Sequence, residues 1–183
     1  MSSFKILDLG CGRKKVEGAI GLDSSKNLDA DISHDLNIFP YPFVDEEFDH
    51  AHINNVLFLL DDPVKLIEEV YRILKMHRKV TIIQSYFRSV WNFVGPWVKN
   101  FGTVHLFSFY DPSDPICSRY AYSEARFETL KITFDDGLKK RFLTHFVVWF
   151  ANKYPRHYEL YLSHFYPLTR ITYQLVKIQK SAK

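Results

Sequence analysis

Residues 4–12, FKILDLGCG, join a short apolar segment to a turn that contains two glycines. An apolar run bounded by turn residues is typical of a strand buried in a parallel sheet. Glycine adopts positive φ without a steric penalty and lets a ligand approach the bare main chain. The segment therefore predicts an α/β fold with a ligand-binding turn at Gly10, Cys11 and Gly12. A plain tight turn fits the glycines equally well, because residue 15 is lysine and not the third glycine of a dinucleotide-binding pattern.

The first half of the chain alternates apolar runs with turn signals. An Asp-Asp-Pro sequence at 61–63 predicts the start of a helix with one apolar face. Residues 13–18 are too short a link for the helix that parallel crossovers usually carry. This order of strands and links predicts a largely parallel sheet. Its predicted strands after the first are 19–22, 29–35, 48–54 and 78–85.

The second half of the chain has a different pattern. Aromatic residues make up 16% of the chain and crowd into residues 86–126 without a strand period. A long irregular segment within a small domain is typically a lid or a binding insertion. Alternating runs at 127–134 and 171–178 predict two more strands, and helical spacing of aromatic residues over 142–150 predicts a helix between them. Pro155 opens a second predicted helix, which stops before residue 167.

Composition excludes several classes of function. The 183 residues include 24 Lys+Arg and 21 Asp+Glu, and the formal charge of +3 is too small to indicate nucleic-acid binding. Cys11 and Cys117, without a CxxC pair, exclude a disulfide scaffold. The longest apolar stretch, 142–151, is far shorter than the about 20 residues of a membrane span, and no secretory leader is evident. We therefore predict a cytoplasmic protein without a transmembrane segment and leave its oligomeric state open.

Polar residues stand at the ends of several predicted strands. Asp23 follows the second strand, Asp35 the third, and Asn54 and Asn55 the fourth. Ligands of open α/β sheets bind outside the carboxyl ends of the strands, so these side chains should share one edge. A carboxylate at Asp23 can accept both hydroxyls of a ribose, although each residue alone also fits a turn or a cap. The set predicts a nucleotide-type ligand.

Other kinds of site fit the sequence less well. His50 and His52 share a strand face near His34, but no third ligand is spaced to complete a metal site, so we predict packed neutral imidazoles and no metal. Neither a GxSxG elbow nor a phosphate-binding loop is present. Cys11 is interpreted as a small filler. The segment 139–150 is basic and then apolar; it fits membrane-surface docking, but we favour a helix that faces the core.

Several segments together resemble the class I S-adenosylmethionine-dependent methyltransferases, in particular the small type-11-like branch with a very short first crossover. These segments are ILDLGCG at 6–12, AIGLD at 19–23, DADISHDLNIFPYPF at 29–43, FDHAHINNVLFLLDDPVKLIEEVYRILK at 48–75, ARFETLKI at 125–132 and YPLTRITYQLVKI at 166–178. The resemblance covers nearly the whole chain. It implies an α/β, Rossmann-like, mostly parallel sheet with an antiparallel C-terminal strand. A single domain, 1–183, would comprise a cofactor-binding half (4–85), an aromatic lid after the fifth strand (86–126), and C-terminal strands and helices (127–183).

The resemblance also implies an activity: transfer of a methyl group from S-adenosyl-L-methionine to a small-molecule or glycan-type acceptor. His105 is the implied catalytic base, with Tyr110 or Asp111 as substitutes. The glycine turn and Asp8 would line the methionine and ribose, Asp23 the ribose hydroxyls, Asp35 and Leu36 the adenine, and the two asparagines the methionyl end. The implied cofactor-binding residues are Asp8, Gly10, Cys11, Gly12, Asp23, Asp35, Leu36, Asn54 and Asn55.

Two departures from the branch leave a second function open. Phe58 and Leu59 stand where the branch usually carries a polar Glu-His pair, and Met76-His77-Arg78 stands in place of a Pro-Gly-Gly turn. Loss of a polar pair removes a proton acceptor, whereas loss of the turn changes geometry. The alternative is therefore a catalytically impaired relative that binds the cofactor or a protein partner without turnover.

Overall fold

The computed structural model describes residues 4–24, 30–120, 122–136 and 142–179. Within these ranges the centre of the protein is a seven-stranded sheet with the strand order β3-β2-β1-β4-β5-β7-β6. The strands are β1 (Ile6–Leu9), β2 (Ala19–Asp23), β3 (Ile32–Ser33), β4 (Phe48–Asn54), β5 (Leu74–Ser85), β6 (Phe127–Asp135) and β7 (Arg170–Lys177). The helices are α1 (Pro63–Ile73), α2 (Pro115–Arg119), α3 (Phe142–Lys153) and α4 (Pro155–His157), which continues into a π-helical turn, Tyr158–Leu162.

The strand directions match the sequence-based fold. β1 pairs in parallel with β2 and β4, β2 with β3, and β4 with β5. β7 is antiparallel to both of its neighbours, β5 and β6. A Rossmann-like, mostly parallel sheet with an antiparallel C-terminal strand is therefore confirmed. The carboxyl ends of β1, β2, β4 and β5, at Leu9, Asp23, Asn54 and Ser85, lie at one edge, which we call the rim.

One face of the sheet carries the hydrophobic core. Helix α1 covers it with four buried apolar residues, Leu66, Ile67, Val70 and Ile73, whereas Val64 in its first turn is exposed. The side chain of Asp62 accepts a hydrogen bond from Lys65 N at 3.1 Å, which caps this helix as predicted. Burial of each such aliphatic side chain contributes about 1.5–3 kcal/mol. This covered face fixes α1 against the centre of the sheet and leaves the rim free for a ligand.

The opposite face is much less covered over β4 and its neighbours. His50 and His52 on β4, Thr81 and Ile83 on β5, and Gln174 on β7 are half-buried or exposed there. The link between β1 and β2 contains no helix, as its length predicted. Both imidazoles are half-buried, and burial and the neighbouring His52 lower the pKa of His50, which agrees with the expectation of a neutral ring at that position.

Two predicted strands have different bounds in the structure. The third strand is reduced from 29–35 to Ile32–Ser33, with residue 29 outside the described residues. Asp31 explains the shortening, because its Oδ2 accepts a hydrogen bond from Gly21 N at 2.7 Å in place of a backbone carbonyl. The fifth strand begins at Leu74, directly after α1, and not at residue 78. A register shift opposite Phe48 and His50 lets it continue through the sequence that replaces the usual turn.

Helix α3 packs against the core mainly through its smaller residues and not through its largest aromatic side chains. The structure buries its small residues, Thr144, Val147 and Ala151, and exposes Phe142 and Trp149. The predicted helix that faces the core is confirmed, but Val147 and Ala151 join the core cluster while Phe142 and Trp149 are exposed. The basic run 139–141 that precedes α3 lies outside the described residues. Among the described residues, no helix combines the length and the apolar character needed to cross a lipid bilayer.

Candidate functional site

The glycine turn stands at the rim, directly after β1. Gly10 and Gly12 have φ values of +68° and +55°, which L side chains rarely adopt. A Cβ on Gly10 would lie 2.3 Å from Val56 Cγ2, whereas a Cβ on Gly12 would have no described atom within 4 Å. The two glycines therefore have different roles: Gly10 permits close packing, and Gly12 leaves bare main chain beside open space.

Asp23 meets this turn, as the sequence predicted for a shared site. Its Oδ2 lies 3.1 Å from the amide nitrogen of Gly12 and accepts a hydrogen bond from it. Gly10 N donates to the carbonyl of Leu22 at 2.8 Å, which holds the turn against the end of β2. A carboxylate and an open stretch of main chain thus lie side by side. This arrangement can hold a polyhydroxylated ligand such as a ribose.

Cys11 lies between the glycines and is buried. Burial raises the pKa of its thiol, and the negative charges of Asp23 and Asp8 raise it further. A thiol in this environment stays protonated at neutral pH and is a poor nucleophile. The geometry agrees with a space-filling role for Cys11 in the turn.

Asp8 is buried beneath the turn and both of its carboxylate oxygens have partners. Oδ2 accepts a hydrogen bond from Val16 N at 2.8 Å, and Oδ1 lies 3.1 Å from His52 Nδ1. Asp8 therefore holds the link between β1 and β2 in place and positions the turn. Direct contact between Asp8 and a cofactor stays a prediction.

The end of β3 brings an apolar side chain to the same turn. Leu36 Cδ1 is 3.5 Å from the position that a Cβ on Gly10 would occupy. Tyr41 fixes this residue by donating its hydroxyl to the Leu36 carbonyl at 2.9 Å. Asp35 is exposed beside it, and its Oδ1 accepts from Asn37 N at 2.9 Å. Leu36 is buried against the turn with the exposed Asp35 beside it, and contact of either residue with an adenine stays a prediction.

Asn54 and Asn55 connect the glycine turn to a cavity. Both are exposed at the end of β4, and Asn55 Nδ2 donates to Asn54 Oδ1 at 3.0 Å. Asn55 adopts a left-handed φ of +54°, and the next residue is the Val56 that contacts Gly10. The backbone of this corner therefore passes directly from the turn to the neighbouring cavity.

That cavity, which we call the rim cavity, has a volume of about 540 Å³. It lies where β4 and β5 end and β7 begins, and the first part of the predicted lid contributes its rings. Phe58 lines it, whereas Leu59 is exposed, so an apolar ring stands at one of the two positions of the missing polar pair. Other lining residues used below are Asn55, Ser85, Trp91, Trp97, Asp136 and Arg170.

Asp136 is the polar residue of this cavity that sequence reasoning missed. Burial raises the pKa of its carboxyl, and the neighbouring Asp135 raises it further. A carboxylate with a raised pKa in a cavity is a candidate proton acceptor. The signal in the sequence was the Asp-Asp pair at the end of the sixth strand, whose context also fits an ordinary turn.

The structure does not bring His105 to the glycine turn. Its Nδ1 lies 3.3 Å from Ser108 Oγ. Ser108 lines a different cavity of about 330 Å³, together with Asp111 and Thr129. Of the two substitutes, Asp111 has a structural partner, since its Oδ2 accepts from Thr129 N at 2.8 Å, whereas Tyr110 lines a further cavity of about 690 Å³. The catalytic role of His105 stays a prediction.

Metal ligands do not cluster in the part of the chain that the structure describes. No group of three or more His, Cys, Asp or Glu side chains there is arranged to hold a metal ion. The arrangement at the rim instead offers hydrogen-bond acceptors and apolar packing. Its chemistry suits an organic ligand.

Comparisons of the sequence with known proteins find similarity over part of the chain. Residues 7–81 match a family model described as a methyltransferase domain. An uncharacterized protein of Methanocaldococcus jannaschii is 39% identical over an alignment that covers 42% of this chain and 41% of that protein. The chain therefore spans about two fifths of the length of the curated relative it matches.

Solved structures are similar over almost the whole chain, at low sequence identity. A chain from the complex of the Haloferax volcanii Trm112 methyltransferase activator has a TM-score of 0.60 at 16% identity and covers 96% of this chain and 83% of its own. An Archaeoglobus fulgidus SAM-dependent methyltransferase has a TM-score of 0.54 at 15% identity, and the alignment covers 95% of this chain and 86% of that protein. Phosphoethanolamine N-methyltransferase 2 of Haemonchus contortus, solved with S-adenosyl-L-methionine, has a TM-score of 0.53 at 15% identity, with coverages of 97% and 49%. These similarities describe the fold.

Proposed function

We propose a function from one premise: this chain has the fold of the class I S-adenosylmethionine-dependent methyltransferases, as the resemblance in its sequence predicted, and its residues 7–81 match the methyltransferase domain model. The proposed function is transfer of a methyl group from S-adenosyl-L-methionine to a small-molecule or glycan-type acceptor in the cytoplasm. The observation that supports it best is the contact between Gly12 N and Asp23 Oδ2 beside open main chain.

The residues at the rim fit the cofactor. Asp23 would accept the ribose hydroxyls, Leu36 would pack on the adenine, and the open main chain at Gly12 would lie along the nucleoside. Asn54 and Asn55 would approach the methionyl end, and Asp8 would keep the turn in position. When bound, S-adenosyl-L-methionine supplies an activated methyl group on its sulfonium. The chain's own task is then to orient the acceptor and exclude water.

The rim cavity is the proposed acceptor site. It adjoins the glycine turn through Asn55, and Trp91 and Trp97 give it an aromatic wall. Asp136 would take the proton from an acceptor hydroxyl, because its raised pKa makes it a better base than an ordinary aspartate. His105 is the base that the family resemblance implies. The pH profiles of kcat/KM for Asp136→Asn and for His105→Ala, measured separately, distinguish these two assignments.

A second function has its own supporting observation. Phe58, an apolar ring, lines the rim cavity at a position where the related branch carries a polar side chain. A chain without that proton acceptor could bind the cofactor or a protein partner without turnover. This alternative keeps the same cofactor site and differs in its chemistry.

Calorimetry and a labelled-methyl assay separate the two functions. We expect S-adenosyl-L-methionine to bind in the calorimeter, and its labelled methyl group to appear in small molecules or glycans of a cell extract. Binding without labelled product would favour the alternative. Absence of binding at saturating cofactor would contradict both. Asp23→Ala is the control, because it removes the proposed ribose contact and should lower both signals.

A further inference from the structure

Helix α3 and the turns after it present large apolar side chains to solvent. Phe142 is 94% exposed and Phe165 85% exposed, and Phe146 and Trp149 are each about half exposed. Helix α3 packs on the protein through its smaller residues Thr144, Val147 and Ala151, although it carries larger apolar side chains that could have been buried instead. Clustered exposed apolar side chains of this size mark an interaction surface.

A second exposed segment belongs to the same end of the molecule. Trp91, Phe93 and Trp97 follow β5, and Phe93 is 76% exposed. Arg88, just before them, donates from Nε to Ser163 Oγ at 2.9 Å and so ties this segment to the turns after α4. We call the combined surface the aromatic end. Its members are Trp91, Phe93, Trp97, Phe142, Phe146, Trp149 and Phe165.

The aromatic end is placed at the rim. Two of its rings, Trp91 and Trp97, also line the rim cavity. Helix α3 is held at the same end of the sheet, because the Asn152 side chain accepts from Phe134 N and donates to the Phe134 carbonyl near the end of β6. Two of the exposed rings therefore border the proposed acceptor site, and the C-terminal part of α3 lies at the same end of the sheet.

Acidic residues are scarce in the segments that form the aromatic end. Residues 86–110 contain no acidic residue, and residues 142–168 contain only Glu159. Glu159 is used internally, since its Oε2 accepts from Val104 N at 2.8 Å. Arg88 and Lys153 lie among the rings, with Lys153 Nζ 5.3 Å from the centre of the Trp149 ring. The sequence Lys139-Lys140-Arg141 immediately precedes α3.

Nearby acidic residues at the border are paired with basic ones. Asp114 lies 3.2 Å from Arg156 Nη2, and Asp135 forms an ion pair with Arg170. The chain thus offers aromatic rings with a positive border, and Asp136 in the rim cavity is the acidic residue placed beside two of these rings. Rings with neighbouring Lys and Arg are the composition of segments that lie at a membrane interface.

We infer that the aromatic end docks on the surface of a lipid bilayer that contains anionic headgroups. The rings enter the boundary between headgroups and acyl chains, and the basic residues contact the headgroups. A second copy of this chain is a poorer partner, because pairing two such surfaces would bring like charges together. Docking would bring the rim cavity close to the membrane surface. The inference does not depend on methyl transfer.

Vesicle flotation tests the inference. The full chain is mixed with vesicles of phosphatidylcholine alone or of phosphatidylcholine with phosphatidylglycerol. We expect flotation with the anionic vesicles, weaker flotation with the neutral ones, and partial loss in high salt. The double variant Phe146→Ser/Trp149→Ser should lower the partition coefficient at least about tenfold. The matched control is Phe4→Ser, an exposed ring before β1 at the opposite end of the sheet, which should float like the parent.

Three outcomes would overturn the inference. One is an absence of flotation with both vesicles, and another is a double variant that floats like the parent. The third is sedimentation that shows a stable dimer of the parent and a monomer of the double variant, since a second copy would then cover this end. Circular dichroism and calorimetric cofactor binding show that the double variant is folded, and cofactor binding is measured apart from flotation, so failure of either proposal is recognised separately.

Discussion

Gly12→Ala tests whether the open main chain at the rim is a ligand site. The new methyl group would meet no described atom of the protein, because no such atom lies within 4 Å of its position. The substitution would still cost stability, since a left-handed backbone disfavours an L side chain by about 1–2 kcal/mol. A cofactor lying against this main chain would have to move away from the methyl group and lose contacts.

Gly18→Ala is the matched control for this variant. Gly18 has a φ of +72° and also has no described atom within 4 Å of its Cβ position, so the backbone strain and the free space are alike. It stands before β2, at the end of that strand opposite Asp23. We therefore expect the same loss of stability of about 1–2 kcal/mol from both variants, and a change in cofactor affinity only from Gly12→Ala.

Calorimetry of S-adenosyl-L-methionine binding and urea unfolding measure the two effects. We expect Gly12→Ala to raise the Kd about 10- to 100-fold, which corresponds to about 1.4–2.7 kcal/mol, and Gly18→Ala to leave it unchanged. Equal Kd values for the two variants would refute the reasoning, because the space over Gly12 would then hold no ligand.

Three other substitutions address the neighbouring residues. Gly10→Ala should destabilise the fold by about 2–4 kcal/mol, because its Cβ would lie 2.3 Å from Val56 Cγ2, and urea unfolding should show partial recovery in the double variant with Val56→Ala. Asp23→Asn keeps an oxygen that can accept from Gly12 N but loses the charge; it should weaken cofactor binding by about 1–3 kcal/mol in the calorimeter with little change in unfolding. The pKa of Asp136 is raised in the folded protein, and a protonated Asp136 cannot act as a base, so kcat/KM should fall as the pH falls through that pKa. The substitution Asp136→Asn should remove this acid limb of the kcat/KM profile and lower kcat about 100-fold or more. If His105→Ala instead loses the acid limb of the kcat/KM profile and Asp136→Asn keeps it, His105 is the base.

Local patterns were sufficient for the glycine turn, Asp23 and helix α1. The turn needs positive φ at Gly10, the helix needs a cap and a proline at its start, and both requirements are met within a few residues of sequence. Asp23 follows from the strand that precedes it, because parallel strands bring their ends to one edge. These features could therefore be predicted from sequence before any long-range contact was known.

Features that depend on long-range packing could not be predicted in the same way. Helix α3 has apolar residues on most of its surface, so periodicity could not show that Thr144 and Ala151 face inward and Trp149 outward. The position of His105 depends on how the aromatic segment folds over the sheet. The role of Asp136 depends on the cavity that its strand meets, since its sequence context fits an ordinary turn.

A crystal structure with S-adenosylhomocysteine, the demethylated cofactor, tests the central claim most directly. The account predicts density for the nucleoside along the glycine turn, with both ribose hydroxyls within hydrogen-bond distance of the Asp23 carboxylate and the adenine against Leu36. A nucleoside bound elsewhere, or a turn closed against Asp23 with no room for a ribose, would contradict it.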